Sequence, residues 1–144
     1  MPEITVEAEK DNFNILMDFV DDFAKKMGFI ASSLYRVNLT AEEAIINVIN
    51  YAYPEKKGAI TLLCEEVTMP QRGIKLQISD NGIAFDPLAK VEPDINQAIE
   101  DRPIGGLGIH LVKKNASEVS YQRENNTNIF TIVFYLGDKA LPAS

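Results

Sequence analysis

Three short stretches hold residue types whose spacing suits chemistry. In Thr40 to Tyr53, wound as a helix at 3.6 residues per turn, Glu43, Asn47 and Asn50 fall on one side. Ala41, Ile45, Val48, Ile49 and Ala52 fall opposite, so the helix buries one face and turns a carboxylate and two amides outward. A merely wet face is the plain alternative. Asn, however, costs roughly 0.5 kcal/mol against Ala in a helix interior, and Lys, Glu or Gln would serve a wet face better. The second stretch is Asp80-Asn81-Gly82, at the end of an alternating strand. The Asp80 carboxylate can only accept hydrogen bonds; the exocyclic amine of adenine is a fitting donor, and Gly82 lets a ring approach the backbone. Asn-Gly is also a hairpin signal, but the following I-A-F-D-P and a long polar segment make a poor return strand. The third stretch, Gly105-Gly106-Leu107-Gly108, opens a short amphipathic helix. Free helix N–H groups and the dipole attract anions there, and glycines let phosphate oxygens reach them. A flexible loop-to-helix connection is its plain alternative.

The elements that position these stretches follow from periodicity. Ile4 to Ala8 alternates as a half-buried strand. Asp11 is the expected cap of a helix whose apolar residues, Phe13, Leu16, Met17, Val20, Phe23 and Ala24, recur at helical spacing. Gly28 ends it, with Lys25 and Lys26 in the last turn. Ser32 to Leu39 reads as a helical turn leading into the main helix, which Pro54 and Gly58 close. Ala59 to Thr68 and Gly73 to Ser79 read as two strands, and Val119 to Arg123 and Asn128 to Leu136 as a closing hairpin around E-N-N-T. The segment 88–104 is polar and carries only a weak helical piece near Ile95 to Ile99. A loop this long inside a compact domain is usually functional, such as a lid, or disordered, and a mobile lid is expected here. The order, β α α β β, loop, α β β, predicts an α+β two-layer sandwich with a mixed, mostly antiparallel sheet and helices on one face. The expected domain is 1–137, followed by a frayed tail, 138–144.

Composition narrows the partners. The chain has 144 residues, 46% apolar and 24% charged, which suits one globular domain. A net charge of −7 repels phosphate backbones, so nucleic acid is not expected as a partner. A nucleotide would have to be held locally, by a metal ion and backbone N–H groups. Cys64 stands alone in an apolar run and reads as a buried small hydrophobe. His110 is the single histidine, which excludes a His-rich metal site; it reads as a surface or lid-contacting residue. The N-terminus is too polar for a signal peptide, and no run approaches the ~20 apolar residues of a membrane span. A cytoplasmic protein is expected.

The order of the three stretches is more specific than any one of them. G-G-L-G lacks the Lys-Ser/Thr of a Walker A loop and does not follow a strand as a dinucleotide fingerprint does. E-x-x-x-N on a helix, D-x-G after a strand, a loop, then G-G-x-G opening a helix resembles the ATP-binding domain shared by gyrase, the large heat-shock chaperone, bacterial histidine kinases and mismatch-repair ATPases. Glu43 to Asn47 looks like its N box, Asp80 to Gly82 its first glycine box, and Gly105 to Gly108 its second. The Tyr51-Ala52-Tyr53 end of the helix, the short lid and I-G-G-L-G-I-H-L-V resemble, more narrowly, the anti-sigma factors of bacterial partner-switching systems that are also serine kinases.

That resemblance implies the Bergerat ATP-binding fold, Mg²⁺ and ATP as cofactors, and a homodimer. Its partners would be a sigma factor and an anti-anti-sigma protein, the latter phosphorylated on a serine. Asn47 would give its amide oxygen to Mg²⁺, Asp80 and Gly82 would read adenine, and Gly105, Gly106, Leu107 and Gly108 would hold phosphates, with Thr127 reaching a phosphate as well. Glu43 would be the catalytic base. Thr40 and Glu43 also fit the capping-box pattern T-x-x-E, which would spend Glu43 on a backbone N–H. The base role requires the helix to begin earlier, near Tyr35 to Asn38. Ala84 stands where D-x-G-x-G has its second glycine, and Asn126-Thr127 where Gly-Thr is usual. These departures keep open an alternative, a nucleotide-responsive anti-sigma or adaptor module with little kinase activity.

Overall fold

The computed structural model describes residues 2–89 and 106–137. Its strands are β1 (Glu3–Glu7), β2 (Ala59–Val67), β3 (Gly73–Asp80), β4 (Glu118–Glu124) and β5 (Thr127–Tyr135). Its helices are α1 (Phe13–Lys26), α2 (Ala31–Tyr51) and α3 (Gly106–Asn115). The sheet order is β1-β2-β3-β5-β4. Among the described residues all four pairings are antiparallel, so the sheet is antiparallel there rather than mixed. β4 nevertheless runs in the same direction as β3, because β5 lies between them. The crossover through α3 skips one strand position and the closing hairpin fills it.

Strand alternation sorts the two faces. Leu62, Ile78 and Phe130 form one inward row across β2, β3 and β5, and Cys64, Leu76 and Ile132 form the next. On the outward face Thr5 opposes Thr61, Glu65 opposes Lys75 and Gln77 opposes Thr131, and the apolar residues there, Leu63, Ile129 and Val133, are only partly buried. α1 and α2 cover the inward face. Leu16, Val20 and Ala24 of α1 and Val37, Ala41 and Ile45 of α2 are fully buried. A buried Leu, Ile or Val contributes about 1.5–3 kcal/mol. Val112 brings α3 into the same core, and α3 packs against α2. Arg36, also buried, fastens α2 to β5: its Nη2 donates to the Tyr135 carbonyl at 3.0 Å and its guanidinium lies over the Phe134 ring.

Helix starts depart from the sequence reading. Asp11 does not cap α1. It lies in a 3₁₀ turn, Lys10–Asn12, and α1 begins at Phe13 with no side-chain cap. Gly28, at φ +96°, ends α1 as expected. The helical turn expected over Ser32 to Leu39 is continuous with the main helix, and α2 begins at Ala31 rather than at 35–38. Ser33 is its capping residue: its hydroxyl accepts the Ile30 N–H at 3.0 Å and donates to the Ile30 carbonyl at 2.8 Å. Thr40 therefore sits inside the helix, where its hydroxyl donates to the Arg36 carbonyl at 2.7 Å. The capping-box reading of Thr40 and Glu43 fails for that reason. The expected lid lies outside the described residues apart from 88 and 89, as does the tail 138–144.

Candidate nucleotide-binding site

The inward rows of the sheet turn polar at one end. Ile60, Asp80 and Asn128 are cross-strand neighbours, and Asp80 and Asn128 are 5% and 4% exposed. Above them lies the C-terminal half of α2. Between helix and sheet is a cleft lined by Asn47, Ala52, Asp80, Phe85, Asn128 and Phe130, among others.

Asn47 faces this cleft at 3% exposure, and among the described residues neither its Oδ1 nor its Nδ2 has a hydrogen-bond partner. A buried amide is normally partnered, and leaving it bare costs about 1–3 kcal/mol. Glu43, one helical turn earlier, is half-buried and does not line the cleft. Burial, and then the neighbouring Glu42 charge, hold its carboxyl above the ordinary range. That makes it a stronger proton acceptor than an exposed Glu. Asn50 is exposed and turns away from Asn47, into a groove with Phe13, Ile46 and Ile49.

Asp80 is held through one oxygen. Its Oδ1 accepts the Gly82 N–H and the Asn128 Nδ2, each at 2.9 Å. Tyr53 braces the end of β3: its hydroxyl accepts the Asn81 N–H at 2.8 Å and donates to the Ala59 carbonyl. Gly82 is needed for a reason other than room for a ring. A Cβ there would lie 2.1 Å from the Ala52 carbonyl oxygen at the end of α2, and the next residue, Ile83, donates its N–H to that same oxygen. The glycine lets the β3 loop dock on the helix. Ala84, which stands where the motif has its second glycine, is exposed and does not line the cleft.

Gly105 lies outside the described residues. Gly106 is the first residue of α3, and Leu107 and Gly108 are in its first turn, where N–H groups have no helical acceptor. Thr127 opens β5, and its hydroxyl accepts from the Asn81 side chain at 3.0 Å. The β5 residue that reaches Asp80 is the next one, Asn128, which the sequence reading missed. Its signal was parity: Asn128 shares the inward face with Phe130, Ile132 and Phe134, an unusual slot for an amide. Its partners Tyr121 and Arg123 on β4 were missed with it, as was Phe85, which stacks on Tyr51 with ring centroids 5.9 Å apart.

Residues 6–134 match the histidine kinase-like ATPase domain family. The chain belongs to that family. Among the relatives of this ATPase domain is a serine/threonine-protein kinase, BtrW of Bordetella bronchiseptica, 31% identical over 99 residues and covering 68% of each chain. The serine-protein kinase RsbW of Bacillus cereus is 25% identical over 131 residues, 88% of this chain and 80% of its own. In structure, the RsbU and RsbW domains of a Mycobacterium tuberculosis protein match with a TM-score of 0.61 at 11% identity. That match covers 100% of this chain, which spans 35% of the other, and it supports the shared fold.

The ATPase domain contains no cluster of three or more His, Cys, Asp or Glu among the described residues. A metal here would take most of its ligands from phosphates and water, as Mg²⁺ commonly does. The unpartnered Asn47 oxygen is a hard, neutral donor of the kind such an ion accepts, so the residues present fit a metal-bound nucleotide.

Proposed function

We propose that this ATPase domain is an ATP-dependent protein-serine kinase and anti-sigma regulator. It binds Mg²⁺-ATP, phosphorylates a serine of an anti-anti-sigma partner and sequesters a sigma factor. The observation that carries the reading is the buried Asn47 amide, unpartnered among the described residues, in a cleft shared with Asp80, in a chain whose relatives include serine-protein kinases. In this reading Asn47 Oδ1 holds the metal, whose charge offsets that of the phosphates in an acidic protein. Asp80 accepts the exocyclic amine of adenine beside Gly82. The N–H groups of Gly105, Gly106, Leu107 and Gly108 hold phosphates, and the Thr127 hydroxyl reaches a phosphate as well. Glu43 takes the proton of the attacking serine hydroxyl, whose oxygen forms the new bond to phosphorus as ADP leaves. The partners act in the cytoplasm, and no helix among the described residues is long and apolar enough to cross a membrane.

The test is incubation with labelled ATP, Mg²⁺ and the cognate anti-anti-sigma protein. Label on a partner serine is expected; intact nucleotide binding without transfer sinks the kinase. The adaptor alternative then stands, and partner affinity unchanged by Glu43→Ala and Asn47→Ala would favour it. Its original motives carry less weight in three dimensions. Ala84 is exposed, and Asn126, at φ +62°, takes the left-handed turn position a glycine would fill. A homodimer is part of the proposal by family resemblance, and a monomer by light scattering at micromolar concentration counts against it.

A further inference from the structure

The Asn128 amide makes five hydrogen bonds to three segments of the chain. Nδ2 donates to Asp80 Oδ1 at 2.9 Å and to the Ile83 carbonyl at 2.7 Å. Oδ1 accepts from the Tyr121 hydroxyl, from Arg123 Nη1 at 2.9 Å and, at 3.4 Å, from the Phe85 N–H. Donors crowd one end of the amide and acceptors the other, which sets its orientation. Turned over, its oxygen would face the Asp80 carboxylate.

The consequence falls on Asp80. Both of its hydrogen bonds are on Oδ1, and Oδ2 takes none among the described residues. Of the other polar groups nearby, Arg123 Nη1 also donates to the Gly82 carbonyl at 3.2 Å, the Tyr53 hydroxyl donates to the Ala59 carbonyl, and the Asn47 amide is the group assigned to the metal. We propose that Asn128 is the positioning residue that gives the cleft its base selectivity: by holding Oδ1 it presents Oδ2 as the acceptor left for a base. A 6-amino purine offers a donor to that oxygen, whereas a 6-oxo purine offers another acceptor. Asn128 has no free atom with which to rescue the 6-oxo base. The inference rests on reading the cleft as a nucleoside triphosphate site.

The experiment is calorimetric titration with Mg²⁺-ATP and Mg²⁺-ITP, read as the ratio of the two affinities. A general loosening of the cleft weakens both nucleotides; a positioning role moves the ratio. The wild type is expected to prefer ATP by about tenfold or more, the size of one charge-assisted hydrogen bond. Asn128→Ala is expected to bring the ratio toward one, and Asn128→Thr, which keeps a hydroxyl donor for Oδ1, to retain most of the preference. Should Asn128→Ala not fold, the Tyr121→Phe, Arg123→Gln double variant carries the test. It changes one half-buried and one exposed side chain, frees the amide to turn over, and is expected to lower the ratio as well. A wild type that binds neither nucleotide overturns the triphosphate reading. A wild type that prefers ATP, with an unchanged ratio in Asn128→Ala or the double variant, overturns the role of Asn128 alone.

Discussion

Asn47 and Glu43 both carry a burial cost that an unliganded fold has no use for. Removing the bare Asn47 amide relieves about 1–3 kcal/mol of desolvation and opens a small cavity of opposing effect. Asn47→Ala is therefore expected to leave the melting temperature of the unliganded protein unchanged or higher while abolishing Mg²⁺-dependent ATP binding by calorimetry. Equal ATP affinity in the variant would contradict the metal assignment. Glu43 has a folded-state carboxyl raised above its ordinary value of 4.5 by burial, with Glu42 adding to it. A raised carboxyl favours the folded state below the unfolded value, and that contribution is lost as pH rises through the folded value. Glu43→Gln is thus expected to melt higher than wild type near pH 7, with the gap closing on acidification below the raised value. The same variant is expected to bind ATP and to lose phosphoryl transfer by about 10²-fold or more, measured with labelled ATP. In the wild type, transfer should fall as pH drops through that raised carboxyl value.

At the scale of elements, the site depends on the end of α2 meeting the end of β3. Gly82→Ala would push a methyl into the Ala52 carbonyl at 2.1 Å, backbone that neither element can readily move. A loss of about 1–3 kcal/mol in denaturant unfolding is expected, in the range of overpacked sites, together with weaker nucleotide binding. Tyr53 closes the same joint from the other side, and Gly58 makes room for its ring: a Cβ on Gly58 would lie 2.0 Å from the ring edge. The aromatic end of α2 was legible in the sequence as part of a motif. Its task of satisfying the Asn81 N–H was not, because that bond joins residues 28 positions apart.

At the scale of the molecule, the described residues form an antiparallel sheet with helices on one face and a dry layer between, and Cys64 lies in that layer. Burial pushes its thiol up to about 12, and the side chain is 1% exposed. Thiol-specific labelling of the native protein is expected to be negligible at pH 8 and to follow global unfolding as denaturant is raised. Rapid labelling without denaturant would show that the sheet opens locally at β2.

What the sequence determined by itself was periodic or local. The apolar face of α1, the alternation of β3 and β5 and the glycine that stops α1 each follow from spacing or backbone freedom within a few residues. The inward slot of Asn128 was written there too, as parity. Only the tertiary structure decided what these residues meet: Asn128 against Asp80 across 48 positions, Gly82 against Ala52, and Asn47 with no hydrogen-bond partner among the described residues. The start of α2 at Ala31 freed Glu43 from a capping role, although T-x-x-E is a sound local signal. Hydrogen-bond partners across a sheet and contacts at the end of a helix depend on register and docking, and no short window of sequence contains both sides of them.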